Sequence, residues 1–107
     1  MIANTTKKSK STRMNLTHDA VIVRRNDRHL TNPVGDETVL LDLQSGDYLG
    51  LDPVASSIWS RLQAPQTLTS LVQALMEEYE VGEEECRRDT LEFLQRIDDM
   101  GLIERVS

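Results

Sequence analysis

The apolar residues of this chain change period once, at Asp52-Pro53. Before that point they recur in short runs at a spacing near two. Beyond it they recur at i, i+3, i+4 and i+7. The first pattern is that of half-buried strands and the second that of amphipathic helices. The stretch "ETVLLDL" (37–43) reads as a strand with Val39, Leu41 and Leu43 on one face, and "GDYLGL" (46–51) as a strand with Leu49 and Leu51 on one face. Between them Gln44-Ser45-Gly46-Asp47 supplies a glycine where a short hairpin turn needs positive φ. Further upstream, "DAVIVRRND" (19–27) alternates at Val21 and Val23 and predicts a first strand. "RHLTNPVGDE" (28–37), with Asn32-Pro33 and Gly35, predicts a loop.

Three helices are predicted after the change of period. Asp52 suits an N-cap and Pro53 a first helical position, where the missing N–H costs nothing. Ala55, Ile58, Trp59 and Leu62 form one stripe, which Ala64-Pro65 ends. Thr67 caps the next helix, whose stripe is Leu68, Leu71, Val72, Leu75 and Tyr79, with a break at Val81-Gly82. Glu83, Glu84 and Glu85 open the third, complementing the positive end of its dipole. Its stripe is Thr90, Phe93, Leu94 and Ile97, and Gly101-Leu102 suits a Schellman ending against Ile97. Strands first and helices after give an α+β domain: a three-stranded antiparallel sheet followed by three helices.

Composition narrows the function classes. With 107 residues there is length for one modest core. We expect a disordered basic tail over 1–17, carrying Lys7, Lys8, Lys10 and Arg13, and a folded domain over 18–107. The net charge of −6 argues against a duplex nucleic-acid binder, which needs a basic face to neutralise phosphates. A single cysteine forbids an intrachain disulfide and fits a reducing cytoplasm. No apolar run approaches membrane-spanning length, and no secretory signal opens the chain.

Catalytic chemistry finds little footing. His18 and His29 lack a second ligand at helical spacing, so no metal site is predicted. Cys86 opens the third helix, but the three glutamates before it oppose thiolate formation; it reads as a small buried residue. The carboxylates Glu77, Glu78, Glu80, Glu83, Glu84, Glu85, Asp98 and Asp99 fall on polar helix faces or helix ends. There is no phosphate-binding glycine loop and no nucleophile elbow. The chain is not expected to be an enzyme or to need a cofactor.

What remains is an edge. A three-stranded sheet leaves two strands with unpaired backbone groups. The last strand, Gly46–Leu51, is apolar and carries neither proline nor lysine, so it is open to a visiting strand. Gly50 leaves room for close backbone approach. On the third helix, Leu91 lies off the core stripe, near Arg87 and Asp98, where it can line a groove.

Three blocks carry a resemblance: "VLLDLQSGDYLGLDPVASSIWSRL" (39–62), "TLTSLVQALMEEYEV" (67–81) and "RRDTLEFLQRIDDMGLI" (87–103). Together they resemble the PqqD-like family, the recognition element that binds leader peptides of ribosomally made, post-translationally modified peptides. The hairpin is nearest to the stand-alone lasso-peptide members. The resemblance implies a winged-helix-like fold and a leader docked as an extra antiparallel strand on the third strand, its side chains entering the cleft to the third helix. The lasso leaders contribute an aromatic, a proline and a leucine to that cleft. Here this implies peptide contacts from Asp47, Tyr48, Leu49, Gly50 and Leu51, and from Arg87, Leu91, Leu94, Gln95 and Asp98. The implied partners are a precursor leader, a cysteine-protease-like leader peptidase and an asparagine-synthetase-like cyclase. Two alternatives are a winged-helix nucleic-acid binder, which the acidic third helix disfavours, and a PqqD-like chaperone for a peptide modified by a radical-SAM enzyme. The longer basic tail and Thr90, where relatives often carry an aliphatic residue, depart from the family pattern.

Overall fold

The computed structural model describes residues 20–106. The stretch 1–17 and His18 lie outside the described residues. The elements are β1 (Ile22–Arg24), β2 (His29–Val34), β3 (Glu37–Asp42), β4 (Tyr48–Leu51), α1 (Pro53–Arg61), α2 (Leu68–Glu78), α3 (Glu83–Asp99) and β5 (Ile103–Arg105). A three-stranded antiparallel sheet, in the order β2-β3-β4, precedes three helices, which is the α+β arrangement expected.

The membership of the sheet differs from expectation. Residues 28–37 are not a loop; they supply β2. The first predicted strand does form, but it pairs with β5, which the sequence does not predict, in a separate antiparallel ribbon. Proline in β2 is tolerated for a specific reason. Asp42 N–H bonds to Asp47 O at 2.9 Å. Ladder bonds alternate along an antiparallel pair, so Thr38, Leu40 and Asp42 turn their backbone groups toward β4. Pro33 sits opposite Thr38, hence in a pair without hydrogen bonds, and its absent N–H would have pointed away from the sheet.

The buried face of β3 is also the reverse of that expected. Leu40 is fully buried with Thr38 and Asp42, whereas Leu43 is half exposed. A Val-Leu-Leu run has no alternation of its own, so the partner strand decides its face. Leu40 lies directly opposite Leu49, and the two enter the core together. In β1 it is likewise Ile22, not Val21 and Val23, that is buried.

The helices follow their sequence signals closely. The Asp52 carboxylate accepts from Ala55 N at 2.8 Å with Pro53 in the first turn. Thr67 and Ser70 form a reciprocal capping box at the start of α2. At the end of α3, Leu102 N bonds to Ile97 O and Gly101 N to Asp98 O, each at 2.9 Å, with Gly101 at φ 76. That is the Schellman ending expected, and only glycine takes this conformation without strain. The core joins Leu40, Leu49 and Leu51 of the sheet to Ile58, Trp59, Leu71, Leu75, Leu94 and Ile97 of the helices.

Candidate functional site

The site is built on the β3–β4 hairpin. Gly46, at φ 80, donates to Asp42 O at 2.8 Å while Asp42 N donates to Asp47 O. Two residues thus oppose one, a glycine bulge that sharpens the local twist. The Asp42 carboxylate accepts from Gln44 N at 3.1 Å and from Ser45 Oγ at 2.9 Å. The Gln44 amide first, and then the Ser45 hydroxyl, hold this carboxyl below the usual carboxylate range. The turn that delivers β4 is therefore locked by its own side chains.

β4 lies at the edge of the sheet. Because Leu49 and Leu51 spend their backbone groups on β3, Tyr48 and Gly50 turn theirs outward. The side chains alternate as well. Leu49 and Leu51 are buried, whereas Tyr48 is 73% exposed. A Cβ placed on Gly50 would meet nothing within 4 Å, so another backbone can come close there.

Beside this edge runs a groove of about 680 Å³. Leu49, Gly50 and Leu51 form one wall, and Thr90 and Phe93 of α3 form the other. Val54, Ala55 and Ile58 of α1 and Leu75 of α2 contribute to its lining, with Tyr79 and Val81 from the connection to α3. The polar side chains of the lining are Asp52, Glu80, Asp89, Glu92 and Arg96. Cys86 also contributes, but it is buried, with Sγ 3.9 Å from Thr90 Oγ1 and 4.0 Å from Val72 O.

The structure brings together Leu49, Gly50 and Leu51 of the candidate residues, with Tyr48 on the same strand and Asp47 just ahead of it. Arg87, Leu91, Leu94, Gln95 and Asp98 stand apart from the groove lining. Leu94 is fully buried, Leu91 packs on the core, and Arg87 pairs with Glu83 at 3.3 Å. The part of α3 that meets the groove is instead Cys86, Asp89, Thr90, Glu92, Phe93 and Arg96. The amino-acid order does carry a signal for this. The stripe from Cys86 through Thr90 and Phe93 to Ile97 is wider than one core contact needs, and Phe93, at its margin, is only half buried. Among the described residues no cluster of three or more metal-ligating side chains occurs.

The family profile of Coenzyme PQQ synthesis protein D matches residues 37–103, from the start of β3 to the first residue of β5. The chain belongs to the PqqD family. Two solved structures place this PqqD-family chain more closely. One, "TbiB1 in Complex with the TbiA(beta) Leader Peptide", is 35% identical with a TM-score of 0.70, and the match covers 79% of this chain and 99% of that one. The other, "Lasso peptide synthetase B1 complexed with the leader peptide", is 26% identical with a TM-score of 0.67, covering 78% and 96%. No curated protein matches. The resemblance carried by the three sequence blocks thus agrees with both the family profile and the solved folds.

Proposed function

We propose that this protein recognises the leader segment of a ribosomally synthesised precursor peptide, which docks as an added antiparallel strand on β4 with alternate side chains in the groove. The observation that carries the reading is the coincidence of an outward-facing backbone at Tyr48 and Gly50 with an apolar groove directly beside it. The 35% identity to a protein solved with a leader peptide favours the lasso class over a chaperone for a radical-SAM-modified peptide. Tyr48 and Gly50 offer four backbone groups. At about 1 kcal/mol net for each hydrogen bond they supply roughly half of the ~8 kcal/mol of a micromolar complex. The groove must therefore contribute comparably, through the apolar side chains of the leader.

In this reading the domain spans 18–107, is non-catalytic and uses no cofactor. It works in the cytoplasm, delivering the bound precursor to a cysteine-protease-like peptidase and then to an asparagine-synthetase-like cyclase. Among the described residues no helix is long and apolar enough to cross a membrane, in keeping with that setting. Titration of the ¹⁵N-labelled protein with the leader of the precursor encoded beside its gene tests the binding mode. The Tyr48 and Gly50 amides should shift saturably and gain exchange protection, and the core peptide alone should leave them unchanged. Saturable binding that spares both amides would remove β4 as the docking edge.

A further inference from the structure

We infer that the groove reads the order of charge along its peptide, favouring cationic residues at the N-terminal end of the docked strand and anionic residues at its C-terminal end. This rests on the peptide-binding reading above and adds a direction to it.

Two contacts fix how α3 lies against β4. Tyr79, which caps the end of α2 four residues before α3, donates its hydroxyl to the carbonyl oxygen of Pro53, just past β4, at 3.3 Å. The start of α3 therefore lies near the end of β4. At the other end, a Cβ on Gly101 would stand 3.0 Å from Nη2 of Arg28, and Arg28 in turn donates to Gln44 in the β3–β4 turn. The end of α3 therefore lies near the start of β4. α3 runs antiparallel to β4, so a strand added antiparallel to β4 runs parallel to α3. Its N-terminal end enters beside Asp52, Glu80 and Asp89, and its C-terminal end leaves beside Arg96.

The groove charges are sorted along that axis. Asp52, Glu80, Asp89 and Glu92 occupy the entry and middle, and Arg96 the exit. Among the described residues no ion pair engages Glu80, Glu92 or Arg96, and Asp89 has only its exposed neighbour Arg88 at 3.8 Å. From Asp89 to Arg96 the helix rises about 10 Å, the span of about three residues of extended chain. About three residues of the docked strand thus separate the two charge preferences, with alternate ones facing the groove. Charges at the rim of such a site act mainly on orientation and encounter, and they reject the reversed arrangement.

The test uses two synthetic peptides with the same central segment, containing an aromatic, a proline and a leucine. One has Lys-Lys before and Glu-Glu after this segment; the other has them exchanged. By fluorescence anisotropy at low ionic strength the Lys-first peptide should bind about tenfold more tightly, with the gap closing near 1 M salt, where screening reaches about 3 Å. The protein carrying Asp89→Lys, Glu92→Lys and Arg96→Glu, checked for fold by circular dichroism, should prefer the Glu-first peptide. Equal affinities at low salt, or a Glu-first preference in the unaltered protein, would overturn the inference and leave the peptide-binding reading standing. Failure of both peptides to bind at any salt would overturn that reading as well.

Discussion

His29 shows how one residue can tie the sheet to the helices. Its ring meets Trp59 edge-on, with centroids 4.8 Å apart. Trp59 Nε1 donates to Thr31 Oγ1 at 3.1 Å, and Thr31 Oγ1 lies 3.0 Å from His29 Nδ1. The Thr31 hydroxyl thus accepts from the indole N–H and shares a second hydrogen bond with His29 Nδ1, while the buried His29 Nε2 has no partner among the described residues. Burial foremost, and then repulsion from Arg24, hold this imidazole below its ordinary titration range, with Asp27 partly opposing. The unfolded chain takes up a proton near pH 6.5, whereas the folded chain resists it. The stability His29 lends is therefore complete above that pH and declines on acidification. Asp42 and Glu78, whose carboxyls titrate below their usual range, lose their contributions only at lower pH. The urea midpoint should fall between pH 7.5 and pH 5.5, and His29→Gln should flatten that dependence. An unchanged slope in the variant would assign the effect to other groups.

At the scale of elements, the edge of β4 makes the sharpest prediction. Gly50→Pro removes a donor that points away from the sheet, so no ladder bond is lost and the fold should remain. Leu49, ahead of it, is already extended and tolerates a following proline. Leader affinity should drop at least about tenfold, from one lost hydrogen bond and a ring in the path of the visiting backbone. Unchanged affinity in a folded variant, measured by titration calorimetry, would count against strand addition. Elements also differ in how plainly the amino-acid order announces them. The helices are legible because Asp52, Thr67 and Gly101 mark their ends chemically and their stripes repeat. β4 is legible because Leu49 and Leu51 alternate cleanly. β2 is not, since five of its six residues are exposed and no apolar alternation exists to be seen. Its one signal is Gly35-Asp36, a two-residue hairpin link with Gly35 at φ 66. On α3, periodicity locates the stripe but cannot divide it between core and groove. That division depends on where β4 stands, and Phe93 falls on the groove side of it.

The whole molecule is closed by the β1–β5 ribbon. Ile22 lies opposite Arg105 and Arg24 opposite Ile103, with Ile22 and Ile103 both buried in the common core. β1 is further held by paired bonds between Ile22 and Gln66, at 2.8 and 2.9 Å. The ribbon thus ties the first strand to the α1–α2 connection and to the end of α3. Ile103→Ala should cost about 2–5 kcal/mol, a large share of the roughly 5–15 kcal/mol typical of a domain. A loss below about 1 kcal/mol in urea denaturation would mean that β5 does not seal the core as the structure requires. Val106 N also bonds to Val21 O at 2.8 Å, so the chain enters and leaves the described fold at one spot. A unit with such adjacent ends can be spliced into a larger polypeptide like a cassette, without stretching its host. A peptide held on β4 would then be presented to any fused catalytic neighbour at a local concentration set by the linker alone.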